Sequence, residues 1–132
     1  MKEALVMKLR IALAISVTAL CMWVIAGLWH NLILPGLYAS QHAKHEGIGV
    51  LAIAYVILAT FMFGLAPKKL AGGVRWLAYG AAIGLLWVFP HGLAMAGAHD
   101  EAFGYVFKNA AWHAIEQGIG GIVLGATLRR LR

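Results

Sequence analysis

Long stretches without acidic or basic residues divide the chain into four segments. A bilayer's hydrocarbon core is about 30 Å thick and takes roughly 20 helical residues to cross, so each segment can hold one transmembrane helix. The first segment is too long for one helix, and Pro35-Gly36 ends that helix early. The uncharged segments are 11–43, 47–67 and 76–99, and the fourth, 109–128, contains one charged residue, Glu116.

This pattern predicts an all-α integral membrane protein with four transmembrane helices. They fill most of residues 1–132, which leaves little chain for a soluble domain and indicates a single four-helix transmembrane bundle. The first apolar run after the basic start continues for 19 residues, beyond the 7–15 usual in a cleaved signal peptide, so we expect an uncleaved span. The predicted spans are 9–33, 45–66, 74–97 and 104–128.

The composition is typical of a protein embedded in a bilayer. The chain is 62% hydrophobic and 12% charged, whereas ordinary soluble domains are about 45–50% apolar and about 25% charged. Its formal net charge is +6, but the basic residues lie between apolar runs and form no stripe. We therefore expect no nucleic-acid partner. The expected partners are the lipid bilayer and either further copies of the chain or a larger membrane complex.

The distribution of Lys and Arg predicts the orientation. Basic residues collect on the cytoplasmic side of membrane proteins, and nine of the eleven fall on one side of the predicted bundle. Both termini are therefore expected in the cytoplasm, and the membrane is expected to be a bacterial inner membrane. All six histidines fall in the opposite, outer half: His30, His42, His45, His91, His99 and His113.

A short internal repeat relates the two halves of the chain. Residues 42–49 read H-A-K-H-E-G-I-G and residues 113–120 read H-A-I-E-Q-G-I-G, five identities in eight at an offset of 71. Repeats of this kind, with the same topology, are usually related by an axis along the membrane normal. The repeat predicts two helical hairpins related by a pseudo-two-fold axis, with His42 and His113 in equivalent places.

Glycine and tryptophan positions predict packing. Gly80 and Gly84, and likewise Gly121 and Gly125, are spaced four apart, a pattern that lets membrane helices approach closely. Tryptophan is enriched at the two membrane–water interfaces. The expected interfacial tryptophans are Trp29 and Trp112 at the outer side and Trp76 at the inner side.

Histidines and carboxylates one helical turn apart are the candidate chemistry. His42, His45 and Glu46 share one helical face, and His113, Glu116 and Gln117 have the same spacing on the last span. Such pairs on two helices can build a metal site inside a bundle, and imidazole with carboxylate suits several transition metals. The predicted metal ligands are His30, His42, His45, Glu46, His91, His113 and Glu116.

Other interpretations stay open for the same residues. The histidines can be interfacial polar residues that cap helices and contact head groups. Two facing histidines, His30 with His91 or His91 with His113, could hold b-type haem, although no C-x-x-C-H attachment motif exists. Glu116, an ionisable residue inside a span, is a functional candidate by default. It can act with a histidine as an acid/base pair on a quinone or lipid substrate, or simply bind helices together.

Two segments resemble a known family. K-N-A-A-W-H-A-I-E-Q-G-I-G-G-I-V-L-G-A at 108–126 resembles the last span of a bacterial family of small four-span membrane proteins of unknown function. A-G-L-W-H-N-L at 26–32 resembles the Gly-x-x-Trp that closes that family's first span. The resemblance covers nearly the whole chain and implies a four-helix membrane fold without an established activity. His42, His45 and Glu116 are not part of the family pattern.

Two functions follow from these features. The first is a small membrane protein whose outer-side histidine and glutamate cluster binds a metal ion, a proton or a small polar ligand. The alternative is an accessory or scaffold subunit of a larger membrane complex, with no chemistry of its own. A bundle with almost no mass outside the membrane disfavours enzymatic catalysis on a soluble substrate.

Overall fold

The computed structural model describes residues 2–33, 45–99 and 102–131, which are 91% helical and contain no strand. The predicted all-α fold with four helices is confirmed in this part of the chain. Helix α1 continues directly into a five-residue π-helical segment. The elements in chain order are α1 (Lys2–Leu28), the π-helical segment (Trp29–Ile33), α2 (His45–Leu65), α3 (Gly73–Ala98) and α4 (Phe103–Arg130).

Helix α1 begins at Lys2, seven residues before the predicted start at residue 9. The residues in between are mostly good helix formers, among them Glu3, Ala4 and Lys8. The uncharged pattern marks the part of a helix that a bilayer would enclose, and α1 extends beyond that part.

Two helices are long and apolar enough to cross a membrane by length and composition. They are the continuous helix Lys2–Ile33 and helix α3, Gly73–Ala98. In α2, the side chains are described from Gly49 onward, and Gly49–Leu65 is an apolar helical stretch. Helix α4 carries Glu116 in its middle and two arginines in its last turn. By length and composition it is not among the helices that are apolar enough to cross a membrane.

Helix α4 packs against the other three helices. Its contacts with α3 are the most extensive, those with α1 are next, and those with α2 are few. Helix α2 packs chiefly on α1. All four helices contribute to an apolar core near the end of the bundle where α2 leads into α3: Ala14, Ala19, Met22, Leu58, Ala59, Met62, Trp76 and Leu124.

The packing of α3 on α4 depends on glycines. A Cβ atom on Gly80 would collide with the carbonyl group of Gln117, and one on Gly84 with the carbonyl of His113. From the other side, a Cβ on Gly121 would collide with the carbonyl of Trp76. The backbones of α3 and α4 are therefore in direct contact, and the close approach predicted from the glycine spacing is confirmed.

Trp76 lies in the core and not at an interface as predicted. Its side chain is 6% exposed, and its indole ring lies over Gly125 of α4, where any side chain would overlap the ring. The ring also meets Tyr79 edge-on, with centroids 5.9 Å apart. The Tyr79 hydroxyl donates a hydrogen bond of 2.7 Å to the carbonyl oxygen of Met62, which links α3 to α2. The flat ring fits there because Gly125 leaves room for it.

Candidate buried polar site

The π-helical segment at the end of α1 carries the first two residues of the site, Trp29 and His30. A π-helical turn contains more residues than an α-helical turn, so it changes the direction in which its side chains point. Such turns are rare and often occur at functional sites. Within this segment, the Asn31 side-chain amide donates a hydrogen bond of 2.8 Å to the Gly27 carbonyl oxygen of α1.

Trp29 stacks on Trp112 of α4. The ring centroids are 3.9 Å apart and the planes are inclined by 7°. Trp112 is 5% exposed, so its ring is buried between helices, and its predicted place at the outer membrane interface stays a prediction. The two rings bury each other, and the stack joins the end of α1 to α4.

Glu116 lies near the middle of α4, one helical turn beyond Trp112. It follows Phe103 by 13 residues and precedes Arg130 by 14, which places it about 20 Å from either end of the helix. Its side chain is completely buried. Neither carboxyl oxygen has a hydrogen-bond partner among the described residues. A carboxyl group so placed is held in an environment that penalises an isolated charge.

His113 is the nearest ionisable neighbour of Glu116. Its Nδ1 atom lies 3.1 Å from Glu116 Oε2, across one turn of α4. The pair is close enough for ionic attraction, but its geometry is not that of a formed hydrogen bond. The His113 side chain remains 16% exposed, whereas that of Glu116 is enclosed. His113 is therefore the accessible member of the pair.

His30 extends the site from α4 to α1. Its imidazole lies on the π-helical segment that continues α1, within the range of electrostatic interaction with Glu116 and His113. Imidazoles from two different elements therefore lie in the surroundings of one buried carboxyl group, and His113 is the one at contact distance. We call His30, His113, Glu116 and the neighbouring Gln117 the polar cluster.

Gln117 completes the polar cluster on the side of α3. Its side chain is fully buried, and neither its amide nitrogen nor its amide oxygen has a hydrogen-bond partner in the described part of the chain. The amide oxygen lies 2.7 Å from the place that a Cβ atom on Gly84 would occupy. Glu116 and Gln117 thus extend the polar cluster from the α1 side of α4 to its α3 side.

Of the seven predicted site residues, the structure places His113 3.1 Å from Glu116 and His30 within electrostatic range of both. His91 lies exposed on α3, at the turn that follows Pro90. His42 lies outside the described residues. His45 and Glu46 belong to the first turn of α2, and their side chains also lie outside the described part.

The predicted metal site has no complete set of ligands in the described residues, where no three His, Cys, Asp or Glu side chains are grouped to hold an ion. Three side chains of the site were not predicted to belong to it, Trp29, Trp112 and Gln117. The spacing of Trp112 and Glu116, four apart on one helix, is the sequence signal that connects the tryptophan with the carboxyl group.

No family model, no curated protein and no solved structure matches this chain. The resemblance to a bacterial four-span family therefore supplies no functional argument. The function has to be inferred from the polar cluster and from the surface around it.

Proposed function

We propose that this chain is a small integral membrane protein that binds and exchanges a proton at the His113–Glu116 pair. The observation that carries the proposal is the position of Glu116, fully buried at the middle of α4 with His113 Nδ1 3.1 Å from its carboxyl oxygen. Buried ionisable groups of this kind are costly inside a membrane and mark functional sites.

The surface of the bundle supports membrane insertion. Large apolar side chains are exposed on the first three helices, for example Leu32 at 72%, Val50 at 67%, Val74 at 79% and Leu86 at 70%. Water would disfavour such a surface, since soluble monomers rarely expose large contiguous apolar patches. A lipid environment would accept it. We propose that all four helices span the bilayer, with both termini in the cytoplasm.

The His113–Glu116 pair can change its charge state without leaving an isolated charge. When the pair holds one ionisable proton, that proton resides on the carboxyl group beside a neutral imidazole, or on the imidazole beside a carboxylate. The ionic form is held by attraction at 3.1 Å, which is strong where the surroundings are apolar. The neutral form avoids the desolvation of two charges. A second proton would give imidazolium beside a neutral acid.

His30 and His113 give the buried carboxyl group contact with more accessible groups. Both imidazoles are partly exposed, while Glu116 is not. A proton that arrives at a histidine can therefore pass to Glu116 over one short step. Proton transfer of this kind needs a donor and an acceptor within hydrogen-bond reach, directly or through one water molecule.

Infrared difference spectroscopy of the protein in lipid tests the proposal. The carbonyl stretch of a protonated carboxylic acid is distinct from the bands of a carboxylate. We expect an acid band that changes with pH and disappears in Glu116→Gln. Replacing His113 with Asn should change the frequency of the band, because it removes the imidazole 3.1 Å from the carboxyl group. The matched control is Glu3→Gln, which removes an exposed carboxylate at the start of α1 and should leave the Glu116 band intact.

A pH-dependent carboxyl spectrum that is the same in Glu116→Gln as in the unaltered protein would overturn the proposal. In that case Glu116 would serve only to hold helices together. Co-purification of the variant with the same protein partners would then favour the accessory-subunit function. Metal analysis of the same samples tests whether the site binds a metal ion instead. Metal that is present at one per chain in the unaltered protein and absent in Glu116→Gln would favour a metal ion over a proton.

A further inference from the structure

Buried polar atoms without hydrogen-bond partners are concentrated around Glu116. In the described part of the chain there are eight such side-chain atoms, and seven belong to the polar cluster or to the tryptophan stack beside it. The eighth is the Thr18 hydroxyl of α1. Native proteins leave few buried polar groups unpaired, so a concentration like this indicates a bound partner. The seven are Trp29 Nε1, Trp112 Nε1, His113 Nδ1, Glu116 Oε1 and Oε2, and Gln117 Nε2 and Oε1.

The chemistry of these atoms identifies the class of partner. The two indole N–H groups and the Gln117 amide nitrogen donate hydrogen bonds, while the Glu116 oxygens and the Gln117 amide oxygen accept them. A metal ion would leave the donors unsatisfied, and an anion would leave the acceptors unsatisfied. A small neutral molecule that both donates and accepts satisfies the whole set.

The packing around the site limits the size of the partner. On the α3 side, the backbone at Gly84 approaches His113 and Gln117 so closely that not even a methyl group fits. One turn from Glu116, the stack of Trp29 on Trp112 closes the space between α1 and α4. These contacts leave no room for a large ligand, and buried water typically makes about three hydrogen bonds to polar groups of this kind.

We propose that ordered water molecules bind the unpartnered polar atoms of Trp112, Glu116 and Gln117, and that they carry protons between Glu116 and the two sides of α4. This inference rests on the proposed function, which it deepens. Each transfer moves a proton along hydrogen bonds from one oxygen or nitrogen to the next, with no change in oxidation state. Gln117 is then a positioning residue that orients water through its amide.

Hydroxyl-radical footprinting with short X-ray pulses tests the inference on the unaltered protein in lipid. Radicals generated from bound internal water modify the side chains that contact it. Trp112 and Trp76 form a matched pair, because they are 5% and 6% exposed, while Trp112 has a buried indole nitrogen without a hydrogen-bond partner and Trp76 lies in the apolar core. We expect rapid modification of Trp112 and slow modification of Trp76. Equal, slow modification of both would overturn the inference.

A second variant checks the role of Gln117. Gln117→Met keeps the side-chain length and removes the amide, so modification of Trp112 should fall several-fold. The control is Thr18→Val, which removes a buried unpartnered hydroxyl 12 residues before His30, about 18 Å away along α1. It should leave Trp112 modification unchanged. A fall of the same size in Thr18→Val would contradict the assignment.

The outcomes separate this inference from the proposed function. If the Glu116 band changes with pH but Trp112 is modified no faster than Trp76, proton binding is supported and the ordered water is contradicted. Fast modification of Trp112 without a titrating Glu116 band would keep the water and remove proton binding.

Discussion

The two hairpins of the bundle, α1–α2 and α3–α4, place their glycines in opposite environments. In α1 and α2, a Cβ atom added to Gly27, Gly49 or Gly64 would meet nothing within 4 Å. In α3 and α4, a Cβ on Gly80 or Gly84 would collide with the backbone of α4. Gly73, Gly97 and Gly104 of the second hairpin are as open as the glycines of the first, so the contrast concerns the α3–α4 contact. The second hairpin uses glycines there to join two helices, and the described glycines of α1 and α2 make no such contact.

The comparison also bears on the internal repeat. Gly49 and Gly120 are equivalent at the offset of 71, but only Gly120 is packed, against the Met22 side chain of α1. Sequence identity between the halves therefore does not bring the same neighbours. The repeat segment 42–44 itself lies outside the described residues, so the predicted superposition of the hairpins stays a prediction.

The largest expected effect comes from Gly80→Leu. The new side chain would have to displace the Gln117 carbonyl, which is fixed in helix α4. Overpacking a core usually costs about 1–3 kcal/mol, and we expect a greater loss because backbone and not a flexible side chain is in the way. The measurement is the fraction of folded protein in detergent as denaturant increases.

Gly64→Leu is the control for Gly80→Leu, since it makes the same change on α2 where the space is open. It should leave the free energy of unfolding nearly unchanged. If both variants lost similar stability, the contrast between the hairpins would be wrong.

A smaller effect is expected from Gly120→Ala. The added methyl group would meet the sulfur and Cγ atoms of Met22, and an unbranched methionine can move aside. We expect a loss of about 1 kcal/mol in the free energy of unfolding, by the scale of modest overpacking. Gly80→Ala, which carries the same methyl group toward backbone, should lose more in the same denaturation experiment. The reverse order would show that the contact between hairpins is the more rigid one.

The smallest effect is expected from Tyr79→Phe. It removes the hydrogen bond of 2.7 Å to the Met62 carbonyl, which joins the second hairpin to α2. Hydrogen bonds contribute about 0.5–1.5 kcal/mol, and because this one is only partly buried we expect a contribution near the lower end, about 0.5 kcal/mol. We therefore expect a lower midpoint of thermal unfolding for Tyr79→Phe than for the unaltered protein.

The control for Tyr79→Phe is Thr60→Val. The Thr60 hydroxyl also donates a hydrogen bond of 2.7 Å to a carbonyl oxygen, that of Val56, but this bond is exposed and lies within α2. Its loss breaks no contact between helices, so the thermal midpoint of Thr60→Val should stay close to that of the unaltered protein. Equal midpoints in the two variants would show that the Tyr79 bond adds nothing to the association of the hairpins.

The helices could be predicted from the sequence because charge is excluded from long apolar stretches. The same reasoning singled out Glu116, since one charged residue in such a stretch is conspicuous. The grouping of His30 with His113 and Glu116 was also predicted as part of a larger set. These predictions depend on local pattern and on depth along a helix, which the sequence expresses directly.

The tryptophans show what the sequence does not express. Trp29 and Trp112 were predicted at a membrane interface from their positions near helix ends, and the structure adds that their rings stack on each other with Trp112 buried. The outcome depends on the π-helical turn that carries Trp29 and on the axial alignment of α1 with α4. Neither leaves a signature in hydrophobic periodicity. Gln117 was not among the predicted ligands, because the predicted site was a metal site and a side-chain amide is a poor ligand for a transition metal.

The central place of α4 has a consequence for biosynthesis. A ribosome produces α4 after α1, α2 and α3, yet Leu124 of α4 completes the apolar core and its backbone is the surface against which α3 packs. Domains form as the chain emerges, so the contacts that the first three helices make with α4 cannot form until α4 itself has emerged. A chain that stops after residue 99 would retain the first hairpin's contacts and leave α3 without its main neighbour. Assembly of these four helices therefore depends on α4, and the polar cluster forms only once α4 is present.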